Sequence, residues 1–157
     1  MDSHLLVIGY GNTLRSDDGV GPRVAAEVEK LGLEGVLTMA CPQLTPELAD
    51  PLSQAEAAVF VDASVDYRGP VRIRRLGPSD SSQILAHAAD PNVLLALARD
   101  AFGRAPRAWM VTIPARELGF GERLSRPAAL GLRDAVRAVR ALHRRLRGRR
   151  RETAPSA

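Results

Sequence analysis

A short apolar run that ends in a glycine-rich loop restricts the fold of this chain more than any other feature. Residues 5–8 are four consecutive large apolar residues, and Gly9-Tyr-Gly11 follows them directly. Such a run is typical of a strand buried on both faces of a sheet, because a half-exposed strand would alternate apolar and polar residues. Pro22 then stands where a first helical turn tolerates proline, and apolar residues continue at helical spacing until Gly32. The chain therefore begins as strand, loop and helix.

This alternation continues along the sequence. The patterns predict a second strand at 36–40, a buried strand at 58–61, an apolar strand at 109–113, an edge strand at 71–76, and helices at 45–52, 91–102 and 127–146. Asp90 is the expected cap of the third helix, and Gly103 its stop. Because strands alternate with helices, we expect a largely parallel sheet with helices on both sides. A length of 157 residues suits a single domain.

The positive charge lies at the C-terminal end. Residues 144–157 hold six arginines and one acid, a net charge of +5, whereas the whole chain carries +4. We therefore assign the folded domain to residues 1–147 and predict an Arg-rich, disordered tail at 148–157. Aromatic residues make up 4% of the chain and none lies in the tail, which argues against single-stranded nucleic acid. An arm that contacts nucleic acid or an acidic partner protein is the alternative.

The compartment is predicted from what the sequence lacks. It has no apolar run of the roughly 18 residues that span a bilayer, and no basic segment at its start that would mark a secretory signal. The single cysteine, Cys41, cannot form an internal disulfide, which fits a reducing compartment. We therefore predict a cytoplasmic protein that does not engage a membrane.

Acidic residues follow two of the predicted strands. Asp18 belongs to the loop after the first strand, and Asp62 closes the third strand. In open parallel sheets ligands collect at the carboxyl ends of strands, and strands one and three are commonly near neighbours. We therefore expect Asp18 and Asp62 to approach one another.

Dinucleotide binding is the competing interpretation of the first loop, because Gly9-Tyr-Gly11 begins like G-x-G-x-x-G. The third glycine position is Leu14, an acidic pair follows, and no acid ends the second strand to hold a ribose. A phosphate-binding Gly-Lys-Ser/Thr is also absent. We therefore predict no nucleotide cofactor.

The remaining candidates divide into structural and chemical ones. We expect Asp17 to be structural, capping a turn or the following helix, and His4 and His143 to face solvent. His87 precedes the third predicted helix and could be an ordinary loop residue. Together with Asp18 and Asp62 it would suit a divalent metal such as nickel or zinc, or carboxylate-assisted hydrolysis of an amide. The residues alone do not decide between a metal site and amide hydrolysis.

Several stretches resemble one protein family. Residues 6–21 match an opening G-x-G-N-x-L-x-x-D-[DE]-x-x-G, and Val61-Asp62-Ala63, residues 87–98 and Gly121-Glu-Arg-Leu-Ser125 match later segments. In these features the chain resembles the hydrogenase maturation endopeptidases, which trim the C-terminus of the [NiFe]-hydrogenase large subunit after nickel insertion. The likeness spans roughly residues 5–143.

The resemblance implies a three-layer α/β/α fold with a twisted, mostly parallel sheet of about five strands. It implies Asp18 and Asp62 as catalytic residues, and Asp18, Asp62 and His87 as ligands of a divalent metal. The metal would be nickel supplied by the substrate, and the partner would be the large-subunit precursor. We also expect the chain to be a monomer. The alternative is a chaperone of the same fold that binds the precursor or a metal without cutting.

Overall fold

The structure, a computed structural model, describes residues 4–79 and 89–154. The described residues form five strands and four α-helices in the order predicted by the sequence. They are β1 (Leu5–Tyr10), α1 (Val20–Lys30), β2 (Val36–Cys41), α2 (Ala49–Gln54), β3 (Ala57–Ser64), β4 (Arg72–Leu76), α3 (Pro91–Phe102), β5 (Arg107–Pro114) and α4 (Arg126–Thr153). Short 3-10 turns at Ser16–Gly19 and Pro46–Leu48 lead into α1 and α2.

The five strands form one sheet in the order β2-β1-β3-β5-β4. The pairings of β1 with β2, β1 with β3 and β3 with β5 are parallel, whereas β4 runs antiparallel to β5 at the edge. The predicted adjacency of strands one and three is confirmed, since Leu5 pairs with Ala57 and Gly9 with Val61. The carboxyl ends of β1, β3 and β5 therefore meet at one edge of the sheet.

Helices cover both faces of this sheet, as expected for a three-layer α/β/α fold. On one face α1 and α4 pack against alternate residues of β1, β3 and β5, among them Val7, Val59 and Ile113. On the other face α2 and α3 pack against the intervening residues, including Ile8 and Phe60. All five side chains are at most 1% exposed. Burial on both faces explains why these strands lack a polar alternation.

Three sequence expectations differ from the structure. β3 continues to Ser64, so Asp62 lies within the strand, paired with Thr112 of β5, and does not close it. His143 does not face solvent, because it is only 6% exposed and its ring Nε2 donates to the carbonyl oxygen of Glu34 at 2.8 Å. The helical apolar face of α4 includes His143, which the surrounding arginines obscured in the sequence.

The disordered tail predicted from residue 148 is also wrong as far as Thr153, because α4 continues to that residue. Two arginines of this helical end have acidic partners. Arg147 pairs with Glu34 at 2.9 Å, and the guanidinium of Arg150 donates to both carboxylate oxygens of Glu56. These ion pairs attach the end of α4 to the domain. Among the described residues, no helix is both long enough and apolar enough to cross a bilayer.

Candidate active site

Asp18 and Asp62 lie at the carboxyl edge of the sheet. Asp18 belongs to the turn between β1 and α1, and Asp62 is in the last third of β3, next to β1 in the sheet. The two carboxyl groups are close enough that the charge of Asp18 raises the pKa of Asp62. The structure therefore brings together two of the three residues that the sequence singled out.

Glycines allow the β1–α1 loop to fold this tightly. Gly11 has a φ of +142°, and a Cβ atom added there would lie 1.9 Å from the carbonyl oxygen of Asp18. An added Cβ on Gly21 would lie 2.5 Å from the carbonyl oxygen of Val61. A larger residue at Gly11 would distort the loop itself, and one at Gly21 would push the loop away from β3, because both neighbours are backbone atoms. The glycines thus set the approach of the β1–α1 loop to β3, and with it that of Asp18 to Asp62.

Asp17 is a fully buried carboxylate that holds two distant parts of the chain together. It is 0% exposed and accepts hydrogen bonds from the backbone N–H groups of Arg116, Glu117 and Ser125, at 2.7–3.0 Å. The hydroxyl of Ser125 donates a fourth bond at 2.6 Å. Burial raises the pKa of Asp17, but the bonds from Ser125, Glu117 and Arg116 outweigh it and lower the pKa below its ordinary 3.8. Asp17 is structural, as predicted, although its donors come from the segment before α4 and not from a local turn.

Further bonds fix the same loop to the segment before α4. The hydroxyl of Ser16 donates to the carbonyl oxygen of Gly119 at 2.7 Å, and its backbone N–H to that of Gly121 at 2.8 Å. Ser16 adopts a positive φ of 51°, which is unusual for a residue with a Cβ atom. The neighbouring Asp18 accepts a bond from the backbone N–H of Asn12 at 2.8 Å. Bonds to Gly119, Gly121 and Asn12 therefore fix the part of the loop that leads up to Asp18.

Asp62 sits in a more apolar environment than Asp18. Burial is the main reason that its pKa rises from 3.8 to about 6. Bonds from the Tyr10 hydroxyl, at 3.1 Å to Oδ2, and from the backbone N–H of Ala63 lower the pKa, while the charge of Asp18 raises it further. The result is a carboxyl group that is ionised at neutral pH and binds a proton more readily than an ordinary aspartate. A strongly perturbed carboxyl in a functional loop cluster is a candidate acid or base.

The sequence reasoning missed Tyr10, the hydrogen-bond partner of Asp62. Its position in the sequence could have indicated this role. Tyr10 is two residues beyond Ile8 on the same strand and so faces the same side of the sheet. Burial is the main cause of a pKa of Tyr10 far above its ordinary 10, and the charges of Asp62 and Asp90 add to it. Asp90 caps α3, as predicted, by accepting from the backbone N–H of Asn92 at 2.8 Å. The start of α3 therefore lies near the site.

His87, the third predicted residue, lies outside the described residues. Asp90, three positions after it in the sequence, is the nearest described acidic residue to follow it. Within residues 4–79 and 89–154, no group of three or more histidine, cysteine or acidic side chains is arranged to hold a metal ion. Asp18 and Asp62 supply carboxylate oxygens, which suit a divalent cation when other ligands complete the set.

No protein-family model matches the chain, and no curated protein matches it. Several solved structures do match the chain. The [NiFe] hydrogenase maturation protease HybD from Thermococcus kodakarensis is 25% identical, with a TM-score of 0.67 over 89% of this chain and 99% of that one. The hydrogenase 2 maturation peptidase from a Thaumarchaeota archaeon is 27% identical, with a TM-score of 0.61 over 88% of this chain and 97% of that one.

The hydrogenase maturating endopeptidase HybD from E. coli has the same fold, with a TM-score of 0.71 at 20% identity over 90% of this chain and 93% of that one. The resemblance to the [NiFe] hydrogenase maturation proteases is therefore confirmed in three dimensions, and so is the three-layer α/β/α fold.

Proposed function

We propose that this chain is an endopeptidase that removes the C-terminal extension of a [NiFe]-hydrogenase large-subunit precursor after nickel has been inserted. Support comes from the fold, which it shares with solved maturation proteases along nearly their whole length. The observation that carries the proposal is the meeting of Asp18 and Asp62 at the carboxyl edge of the sheet. A hydrolase needs a group there that can take a proton from water.

Asp62 is the base in this proposal. With a pKa of about 6 it is ionised at neutral pH, and it accepts a proton more readily than a carboxylate of ordinary pKa. The Tyr10 hydroxyl donates to Oδ2 and so orients the carboxylate. Water activated by Asp62 would add to the scissile carbonyl carbon, and the proton would then pass from Asp62 to the leaving amine. Asp18 would orient the peptide and contribute negative charge near the metal.

Nickel enters this proposal as part of the substrate. The precursor would present its nickel to Asp18, Asp62 and His87, so that only a metal-loaded precursor is held with its scissile peptide beside the base. Two carboxylates and an imidazole are suitable donors for a borderline cation such as Ni²⁺. The role of His87 rests on the sequence resemblance. We further propose that the chain works as a monomer in the cytoplasm, in keeping with its single cysteine, Cys41.

Processing of a purified precursor tests the assignment. Wild-type chain and Asp62→Asn are incubated with nickel-loaded large-subunit precursor, and the shortened product is measured by mass spectrometry. We expect Asp62→Asn to process the precursor at least about 100-fold more slowly, because general-base catalysis typically contributes that much or more. Asp66→Asn is the matched control, since Asp66 is an exposed carboxylate just after the same strand.

Two outcomes would contradict the proposal. Processing by Asp62→Asn at the wild-type rate would show that Asp62 is not the base. A wild-type chain that forms a stable complex with the precursor but releases no shortened product would instead be the non-cutting chaperone of the same fold.

A further inference from the structure

Four arginines line a cavity beside the single tryptophan of the chain, Trp109. A cavity of about 150 Å³ is lined by Arg75 of β4, Arg107 of β5, and Arg145 and Arg149 of α4, all around Trp109. The guanidinium of Arg75 lies over the indole ring, 4.6 Å from the ring centre. Among the residues that the structure describes, no carboxylate lines this cavity. It is a concave, positively charged surface formed by three elements of the fold, and we call it the arginine pocket.

The arginine pocket differs from the other face of the same helix. Arg147 and Arg150 pair with Glu34 and Glu56, which lie just before β2 and β3. Among residues 4–79 and 89–154, no acidic side chain forms an ion pair with Arg75, Arg107, Arg145 or Arg149. Like charges held together without counter-charge favour binding of an anion, which removes their mutual repulsion.

An apolar groove adjoins the arginine pocket. The groove has a volume of about 160 Å³ and shares Trp109, Leu142 and Arg145 with the pocket. Its floor includes Val111, and its rim includes Ile73, which is 52% exposed on the edge strand β4. Exposed apolar surface next to unpaired charge is typical of a site that binds protein. A ligand that filled both would need negative charges and an apolar side chain.

We infer that the arginine pocket and the adjoining groove dock an acidic segment of a partner protein, with an apolar side chain in the groove and carboxylates on the arginines. Arginine binds carboxylates through two parallel hydrogen bonds, so four arginines can accommodate more than one acidic residue. A nucleic acid would offer charge to the pocket but no aliphatic side chain to the groove. The indole face is also covered by Arg75, so it offers no open platform for stacking a base.

The docking site is separate from the proposed active site. Trp109 faces the α4 side of the sheet. Asp62 is two residues beyond Phe60 on β3 and so faces the α2 and α3 side. Asp62 pairs with Thr112, three residues beyond Trp109 along β5, which corresponds to about 10 Å. Binding at the arginine pocket therefore leaves the carboxylates accessible. The inference does not depend on the proposed proteolysis, and either can fail alone.

Because Trp109 is the only tryptophan, its fluorescence reports on the docking site directly. The full-length chain is titrated with a synthetic peptide in which glutamate and leucine alternate, and with the same peptide carrying glutamine in place of glutamate. We expect the glutamate peptide to change the Trp109 emission saturably and to bind at least about tenfold more tightly than the glutamine peptide. Its affinity should fall as salt rises above about 0.15 M.

Charge-reversed variants locate the site. Arg145→Glu combined with Arg149→Glu should weaken the glutamate peptide by at least about tenfold, and the neutral pair Arg145→Gln and Arg149→Gln should weaken it less. Arg133→Glu combined with Arg140→Glu is the matched control, because both are exposed on the same helix and the change in net charge is equal. Circular dichroism of each variant checks that α4 still folds.

Three results would overturn the inference. The first is a titration without change in Trp109 emission, and the second is equal loss of binding in the control pair. The third is an oligonucleotide or inorganic phosphate that binds more tightly than the glutamate peptide, which would make the site one for phosphate groups.

Discussion

Asp17 is fully buried and Asp62 is half-buried, and their surroundings shift their pKa values in opposite directions. Asp17 receives four hydrogen bonds from the segment before α4, and its pKa is lowered. Among the described side chains, Asp62 has one donor, Tyr10; burial and the nearby charge of Asp18 raise its pKa to about 6. Burial raises the pKa of both carboxyl groups, so the larger number of donors to Asp17 is what separates the structural carboxylate from the proposed base.

The two carboxylates also make opposite contributions to stability as pH changes. The folded pKa of Asp17 lies below its ordinary 3.8, so its stabilisation is complete above that pH and is lost as the pH falls further. The folded pKa of Asp62 lies above 3.8, so the unfolded chain releases this proton first, and stability falls as pH rises from 3.8 to about 6. The fold gains from ionised Asp17 and is weakened by ionised Asp62.

The largest effect should come from Asp17→Ala. Its removal leaves three backbone N–H groups and the Ser125 hydroxyl without their acceptor in the interior, which should lower the free energy of unfolding by about 3 to 5 kcal/mol at neutral pH. Urea unfolding followed by circular dichroism measures this. Asp18→Ala is the control, since among the described residues Asp18 accepts a single bond, from the backbone N–H of Asn12. Its free energy of unfolding should fall by about 1 kcal/mol. Equal losses in the two variants would remove the distinction between these neighbours.

Asp62→Asn should act in the opposite direction. It removes the cost of ionising a buried carboxyl, so the variant should be more stable than wild type above pH 6, by on the order of 1 to 3 kcal/mol. Near the ordinary pKa of 3.8 the two proteins should be about equally stable, because folded wild type is then protonated at Asp62. Urea unfolding at both pH values measures the difference. An Asp62→Asn protein that is less stable than wild type at neutral pH would show that the ionised carboxylate stabilises the fold.

Tyr10→Phe should have the smallest effect on stability, less than about 1 kcal/mol, but a visible one on pH dependence. Its hydroxyl lowers the pKa of Asp62, so without it that pKa should rise further above about 6. The acidic limb of kcat/KM for precursor processing should then move to higher pH. Tyr67→Phe serves as the control, since Tyr67 contacts Arg72 and not Asp62. An acidic limb that does not move would show that kcat/KM does not depend on the ionisation of Asp62.

The sequence predicted the elements of the fold better than their pairing. Apolar runs such as residues 5–8 identify strands buried on both faces, and Asp90 and Gly103 mark the ends of α3 as observed. The insertion of β5 between β3 and β4 has no local signal, because it depends on contacts formed after the chain has folded back. The same holds for the end of α4, where composition suggested disorder and Glu34 and Glu56 provide the missing partners.

The candidate site was predictable to a similar degree. Asp18 and Asp62 follow from the rule that ligands collect at the carboxyl ends of parallel strands, and the structure places both at that edge. The donors of Asp17 could not be read from the sequence, since they lie 99 to 108 positions away. His143 could have been recognised as buried, because it continues the helical spacing of Ala135 and Val139.

The bond between Asp17 and Ser125 has a consequence for synthesis of the chain. These two residues are 108 positions apart, and Ser125 also caps α4 by accepting from the backbone N–H of Ala128. A nascent chain that has not yet released residue 125 from the ribosome therefore lacks the contacts that fix the loop carrying Asp18. The edge of the sheet proposed as the active site is therefore completed only after residue 125 has left the ribosome.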